Sequence, residues 1–211
     1  MDEIAAKDRL LLAVLPNVPF DGWSVTALRA GARSLGLSDC EAMALFPRAG
    51  AGLVAWFSRW ADREMLRRVS GPEFELLKIR ERIAAALCAR LDALDPHREA
   101  ARRALALLAL PQHAVLGLRL LYDTVDAAWY AAGDTATDFN FYTKRGLLAA
   151  VYAATMLYWL DDRSPGSVDS RAFLDRRIAD AMAIPRLTSR LREAFDRLPN
   201  PARLFRAAQR R

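Results

Sequence analysis

The sequence has few of the residues from which catalytic and metal sites are built. It contains two cysteines and two histidines. Neither His97 nor His113 has a glutamate three positions before it, as the metal-binding pattern of helical diiron proteins requires. Gly-x-Ser-x-Gly, a glycine-rich phosphate loop and Cys-x-x-Cys are also missing. Asp123 and Asp126 share a helix face, but no partner base or metal ligand accompanies them. The sequence therefore predicts no metal site, and it offers no catalytic constellation.

Leader, disulfide and membrane-span signals are equally sparse. Cys40 and Cys88 are too few for a disulfide framework, and their apolar helical surroundings predict buried thiols in a reducing compartment. Residues 1–9 are acidic and lack the basic flank of a secretory signal, which favours a bacterial cytoplasmic protein. Two uncharged runs, 104–118 and 146–160, have 15 residues each. Since a spanning helix needs about 20, both runs are expected to be buried helices.

What remains is typical of an all-α protein. Hydrophobic residues make up 53 % of the chain, and Gly and Pro cluster where helices would end. Helical periodicity predicts nine to ten helices, near 3–15, 24–35, 39–46, 50–69, 73–93, 97–109, 112–131, 138–160, 170–183 and 187–198. We divide the chain into a helix-turn-helix-like part (1–49), a helical bundle (50–185) and a basic amphipathic tail (186–211).

The N-terminal part resembles a DNA-binding motif in shape but not in charge. Ser24 and Asp39 are placed to cap two short helices, and a long helix follows directly, as in TetR-type regulators. The second short helix, 39–46, begins with two carboxylates and has no cation, an arrangement that repels the phosphate backbone. We expect a vestigial motif without sequence-specific DNA binding. The alternative is a TetR-type, ligand-responsive transcription regulator.

The two uncharged helices can line an apolar pocket inside the bundle. The same residues also suit an ordinary core, because aromatic and methionine side chains at helical spacing are common there. The candidate lipid-binding residues are Phe57, Met65, Leu121, Trp129, Tyr152, Met156 and Trp159.

The segment 131–145 combines helix-end signals with aromatic and charged residues. Gly133 suits a helix C-terminal cap, and Thr137 or Asp138 can cap the next helix. Its aromatic residues either enter the core or form an exposed anchor for a partner, as aromatic and Arg side chains do at interfaces. The candidate partner-binding residues are Asp138, Phe141, Tyr142, Lys144 and Arg145.

The tail carries the net charge of the whole chain. Residues 186–211 contain eight arginines and two carboxylates, and the chain has a formal charge of +6. Apolar residues fall on one face of its predicted helix, which suits an anionic membrane surface. Packing on the bundle or on a second protomer is the alternative. The candidate membrane-binding residues are Leu187, Arg190, Leu191, Arg192, Phe195, Arg197 and Leu198.

The segment 120–145, with its run Thr137-Asp138-Phe139-Asn140-Phe141-Tyr142-Thr143-Lys144-Arg145, closely resembles the ubiquinone (coenzyme Q) biosynthesis accessory proteins. The resemblance extends over nearly the whole chain, with further similar residues at Gly22-Trp23, Leu45-Phe46-Pro47 and 173–178. The resemblance implies a TetR-like fold and a lipid-binding protein that is not an enzyme. It also implies that the protein presents an isoprenoid quinone precursor to the diiron enzyme that hydroxylates the demethoxy-quinone ring.

The same resemblance implies that the aromatic and basic patch docks this hydroxylase and that the terminal amphipathic helix senses lipid. One residue departs from the family: Phe141 stands where members usually have Trp, so the apolar anchor is kept and the indole donor is lost. We therefore expect a peripheral protein at the inner face of a bacterial cytoplasmic membrane. The sequence leaves open whether the chain forms a homodimer and which lipid it binds.

Overall fold

The computed structural model describes residues 3–133 and 139–181, with side chains described outside 139–143. Every regular element in these ranges is helical, as predicted. The helices are α1 (Glu3–Val14), α2 (Val18–Asp21), α3 (Val25–Ser34), α4 (Asp39–Leu45), α5 (Ala49–Arg68), α6 (Pro72–Leu76), α7 (Ile79–Leu94), α8 (Arg98–Leu108), α9 (Ala114–Ala131), α10 (Phe139–Asp161) and α11 (168–181). The predicted helix 187–198 lies outside the described residues.

Serine side chains start both short N-terminal helices. Ser24 Oγ accepts the Ala27 amide at 3.2 Å, which confirms the predicted cap of α3. The cap of α4 is Ser38 rather than Asp39, so that prediction is wrong by one residue. The Glu41 carboxylate accepts the Ser38 amide at 2.8 Å and the Ser38 hydroxyl at 2.7 Å. In return, the Ser38 hydroxyl accepts the Glu41 amide, so the two residues form a capping box that pairs the first free amides of α4.

The N-terminal helices and the bundle share one apolar core. Leu11 and Leu28 of the N-terminal part belong to the same buried cluster as Phe57 of α5. Trp23 donates its indole N–H to the Ala100 carbonyl of α8 at 3.1 Å, which fastens the N-terminal part to the bundle. Gly31 permits the close crossing of α1 and α3, because a Cβ there would lie 2.8 Å from the Val14 backbone nitrogen.

Helices α5, α7, α9 and α10 form the body of the bundle, with α5 packed on α7 and α9, and α9 packed on α10. No single helix in the described ranges is long and apolar enough to cross a membrane. One pair, Ile79–Leu108 with Pro111–Ala131, has the length and composition together but bends by 98°.

The helix predicted over 73–93 is in fact two helices, α6 and α7. Leu77 and Lys78 between them have extended backbones. The Lys78 amide donates to the Glu81 carboxylate at 3.0 Å, so α7 has a new start. Neither Gly nor Pro marks this break, which is why the sequence pattern did not show it. The segment 70–78, called the strap below, connects α5 to α7 across the outside of the bundle.

Candidate functional site

The seven candidate lipid-binding residues come together in the interior of the bundle. Six of them lie in the buried cluster with exposures of 0–7 %, and Leu121 packs against it half-buried. The sequence therefore identified residues of one common interior from three different helices, α5, α9 and α10. Their burial is equally what a plain core shows, so their role in lipid binding stays a prediction.

A buried polar cluster, which the sequence analysis missed, lies among these residues. Arg90 of α7 donates through Nε to Asp62 Oδ1 at 2.7 Å and through Nη1 to Tyr152 Oη at 2.6 Å. Its Nη2 reaches Ser58 Oγ at 2.9 Å, and Thr124 Oγ1 donates to the same Asp62 oxygen at 2.9 Å. The Arg90 cluster, made of these five residues, links α5, α7, α9 and α10.

The Arg90 cluster is charged but internally satisfied. Burial opposes the charge on Arg90, yet Tyr152 and Asp62 together raise the pKa of Arg90, so the guanidinium stays protonated. Burial also raises the pKa of Tyr152, which keeps the phenol neutral. A buried pair of this kind fixes how the four helices meet, since slippage would leave an uncompensated charge. Its signal in the sequence is that Asp62 and Arg90 fall on the apolar faces of their helices.

Two open cavities flank the strap, one of about 650 Å³ and one of about 600 Å³. None of the seven candidate lipid-binding residues lines either cavity. Both cavities share Val69, Ser70, Gly71 and Phe74. The first extends along α7 to α11, and the second extends to the end of α9. The open space in this part of the chain is thus beside the predicted pocket, between the strap and the bundle.

The candidate partner-binding patch is described in part. Asp138 and the side chains of Phe141 and Tyr142 lie outside the described residues. Lys144 is half-buried, with Nζ 5.6 Å from the centre of the Trp129 ring. Gly133 follows the last turn of α9 with φ +85°, which confirms the predicted helix end.

The exposed position predicted for Arg145 is wrong. Its side chain is 4 % exposed, and Nε lies 2.6 Å from Asp126 Oδ1 of α9. The reason is that this part of α10 packs on α9, so position 145 faces the neighbouring helix instead of solvent. Asp126, considered above as half of a carboxylate pair with Asp123, is thereby the counterion of Arg145.

The cysteines and histidines differ from expectation at one position. Cys40 is exposed instead of buried, since Ala42 is the one residue of the short helix α4 that is buried, whereas Cys88 is half-buried and packs against the core. His97 begins α8 as predicted and contacts the rings of Phe57 and Trp60. Burial lowers the pKa of His97.

The remaining predicted site is the membrane-binding face of the tail. The residues that were assigned to it lie outside the described residues: Leu187, Arg190, Leu191, Arg192, Phe195, Arg197 and Leu198.

Comparison with known proteins identifies the family. The family model for COQ9 matches residues 114–185, which include α9, the signature run and α10. The mitochondrial ubiquinone biosynthesis protein COQ9 of Homo sapiens is 38 % identical over 182 residues, covering 82 % of this chain and 57 % of the human protein. The chain belongs to the COQ9 family.

Other COQ9 relatives give the same result. The Rattus norvegicus protein is 39 % identical over 181 residues, covering 82 % of this chain and 58 % of its own length. The Drosophila melanogaster protein is 32 % identical over 193 residues, covering 90 % and 58 %. The chain thus spans a little under three fifths of these relatives. All three are named as mitochondrial proteins, so the prediction of a bacterial cytoplasmic location is wrong. Free thiols indicate a reducing compartment, and the bacterial cytoplasm is only one of these.

The chain also resembles a solved structure. A TetR transcriptional regulator from Nitrosomonas europaea ATCC 19718 superposes with a TM-score of 0.69 and 23 % identity, covering 84 % of this chain and 98 % of the regulator. This similarity confirms the predicted TetR-like fold. At 23 % identity the similarity concerns the fold alone. In this chain Arg29 of α3 lies 2.9 Å from Asp39 at the start of α4.

Proposed function

We propose that this chain is a non-enzymatic accessory protein of ubiquinone biosynthesis. It binds an isoprenoid quinone precursor inside the bundle and presents it to the diiron hydroxylase that acts on the demethoxy-quinone ring. The observation that carries the proposal is membership of the COQ9 family, whose relatives are named for ubiquinone biosynthesis. In this proposal the partner performs the chemistry and the chain supplies binding and delivery.

The interior offers both an apolar wall and a polar donor for such a ligand. Met65, Met156 and Trp159 supply apolar surface from α5 and α10. The indole N–H of Trp129 is buried and finds no acceptor within the part of the chain that the structure describes. Since buried donors are nearly always paired, a quinone carbonyl oxygen is a suitable acceptor there. The ligand would thus be held by its ring at Trp129 and by its isoprenoid chain along the apolar wall.

The signature run supports presentation to a partner. Its later part forms the start of α10, which begins at Phe139, and Arg145 links α10 to α9 through Asp126. In the proposal Arg145 and Lys144 hold the start of α10 against α9, while Phe141 and Tyr142 contact the hydroxylase. Phe141 supplies an apolar anchor without the indole donor that the family usually has at this position. The basic tail is proposed to bring the chain to an anionic membrane surface, where the precursor resides.

Native mass spectrometry after gentle extraction tests lipid binding. Leu121→Trp adds volume at a half-buried candidate lipid-binding residue and should reduce bound lipid at least severalfold. Leu118→Trp, on the same helix and 68 % exposed, is the matched control and should keep full occupancy. Equal lipid content in both variants, or a wild-type chain free of lipid, would contradict the proposed site.

A transcription regulator is the competing function, and the structure gives it little support. The start of α4 is acidic, with Asp39 and Glu41 in its first turn. The pairing of Arg29 with Asp39 removes a cation from the surface that would face the phosphate backbone. A low-salt gel-shift assay with flanking genomic DNA separates the two functions: retardation at micromolar chain would favour the regulator.

A further inference from the structure

The strap is loosely packed on the bundle. Its helix α6 contains no buried residue, and Leu76 is 86 % exposed. Only Phe74 of the strap turns inward, and it is half-buried. Segments with few buried apolar contacts open at a low free-energy cost, well below that of global unfolding. The strap is therefore placed to move while the rest of the bundle stays folded.

The strap also lies between two cavities that share part of their lining. Residues 69–71 and Phe74 line both flanking cavities. On one side the cavity reaches Cys88 of α7 and Arg171 of α11, and on the other it reaches Tyr130 and Gly133 at the end of α9. Lifting the strap would join them into one groove across the bundle. Each cavity lies in the size range of small-molecule sites.

One arginine fastens the strap to the bundle. Arg82 of α7 donates Nε to the Leu77 carbonyl at 2.9 Å and Nη2 to the Glu75 carbonyl. Its Nη1 donates to the Ala132 carbonyl at 3.3 Å. Ala132 caps α9, where helix carbonyls lack intrahelical partners and favour a cation. The same guanidinium thus connects the strap with the residue that precedes Gly133 and the signature run.

We propose that the strap is a gate over the groove formed by the two cavities, through which the isoprenoid chain passes on its way to and from the adjacent buried lipid-binding residues, and that Arg82 is its latch. This inference rests on the proposed lipid-binding function. Opening breaks the bonds of Arg82 to the strap carbonyls, joins the two cavities and frees the guanidinium at the end of α9. Loading of ligand is thereby coupled to the segment that is proposed to meet the hydroxylase.

Cys88 provides a reporter of opening because it lines the first cavity together with Phe74. Burial raises the pKa of this thiol to about 11 from its ordinary 9. Since the thiolate is the form that alkylating reagents attack, exposure should increase its reactive fraction at pH 8 by about a hundredfold. Cys40→Ser removes the exposed second thiol and leaves Cys88 as the single labelling site.

Arg82→Gln in this background should increase the rate of Cys88 alkylation by N-ethylmaleimide at least about tenfold, because the strap loses two charge-assisted hydrogen bonds and the loss of one alone is worth about that factor. Arg80→Gln is the matched control: it lies on the same turn of α7, but its guanidinium bonds the Asp175 carbonyl of α11 instead of the strap. Phe74→Ala, which keeps the latch and removes the inward side chain, should also accelerate labelling. The proposal fails if Arg82→Gln and Arg80→Gln label equally, or if labelling proceeds only at the global unfolding rate.

Uptake of ubiquinone-10 from phosphatidylcholine vesicles, followed by quenching of tryptophan fluorescence, connects the gate to the ligand. Faster labelling together with faster uptake in Arg82→Gln supports the proposal. Faster labelling with unchanged uptake overturns the gate and leaves the lipid-binding function standing. A wild-type chain that takes up no quinone overturns the proposed function and, with it, the gate, whatever the labelling rate of Cys88.

Discussion

Reversing the charge of Arg145 tests whether this arginine stabilises the fold or serves mainly as an exposed residue that binds a partner. Its side chain is 4 % exposed, and its Nε lies 2.6 Å from Asp126 Oδ1. In Arg145→Glu two carboxylates would face each other between α9 and α10. Breaking a buried pair typically costs 3–5 kcal/mol. Because the Asp126 side chain is 46 % exposed, we expect the lower limit, about 3 kcal/mol in the free energy of unfolding.

Urea unfolding followed by circular dichroism measures this difference directly. In a chain of this size a loss of about 3 kcal/mol lowers the melting temperature by roughly 6–12 °C. Arg119→Glu makes the same charge change at an exposed position of α9 and should alter stability by about 0.5 kcal/mol or less. Combining Arg145→Glu with Asp126→Arg restores an ion pair in reversed order and should recover part of the loss.

A melting temperature of Arg145→Glu equal to that of Arg119→Glu would refute this reasoning. The ion pair would then contribute nothing to the fold, and Arg145 would return to its predicted place in an exposed anchor. Binding assays with Arg145 variants are therefore informative only when the stability of each variant has been measured beside them.

Three further predictions concern the polar interior, acid stability and the tail. Tyr152→Phe removes the phenol from the Arg90 cluster and should cost about 1–3 kcal/mol in urea unfolding, whereas Tyr158→Phe at a 44 % exposed position should be nearly neutral. Burial lowers the pKa of His97 in the folded chain. The stability that the neutral imidazole contributes is therefore complete above about pH 6.5, the ordinary pKa of His, and is lost as the pH falls through the lower pKa of the folded state. His97→Gln should accordingly reduce the loss of unfolding free energy between pH 7 and 5. Removing residues 186–211 should abolish binding to phosphatidylglycerol vesicles in a flotation assay, and a loss of helical circular dichroism would show instead that the tail is a packed structural element.

Local signals in the sequence predicted the helices well where a capping residue or a glycine marks an end. Ser24 and Gly133 mark ends for direct physical reasons, a side-chain acceptor and a left-handed backbone. The break at Leu77 and Lys78 has no such signal, since its carbonyls are held by Arg82. Contacts of this kind arise only once the helices have assembled.

The sequence predicted which residues lie in the interior of the bundle, but not which residues on neighbouring helices pair with each other. Helical periodicity identifies the apolar face of α10, yet it does not say which neighbour covers the edge of that face. Arg145 was therefore expected outside, although Asp126 of α9 pairs with it. The Arg90 cluster was missed for the same reason. A lone charge on an apolar face acquires meaning only when its counterion on another helix is known.

The central claim is that the chain carries the quinone precursor to the hydroxylase, and the rate of hydroxylation tests it most directly. Purified diiron hydroxylase would receive demethoxy-quinone either in vesicles alone or preloaded on the chain, with Phe141→Lys as the docking variant. Truncation or charge insertion at a central interface aromatic typically costs about 2 kcal/mol or more, roughly thirtyfold in affinity. We predict faster hydroxylation with the loaded wild-type chain and a return to the vesicle rate with Phe141→Lys at unchanged melting temperature. An equal rate with and without the loaded chain would contradict the account.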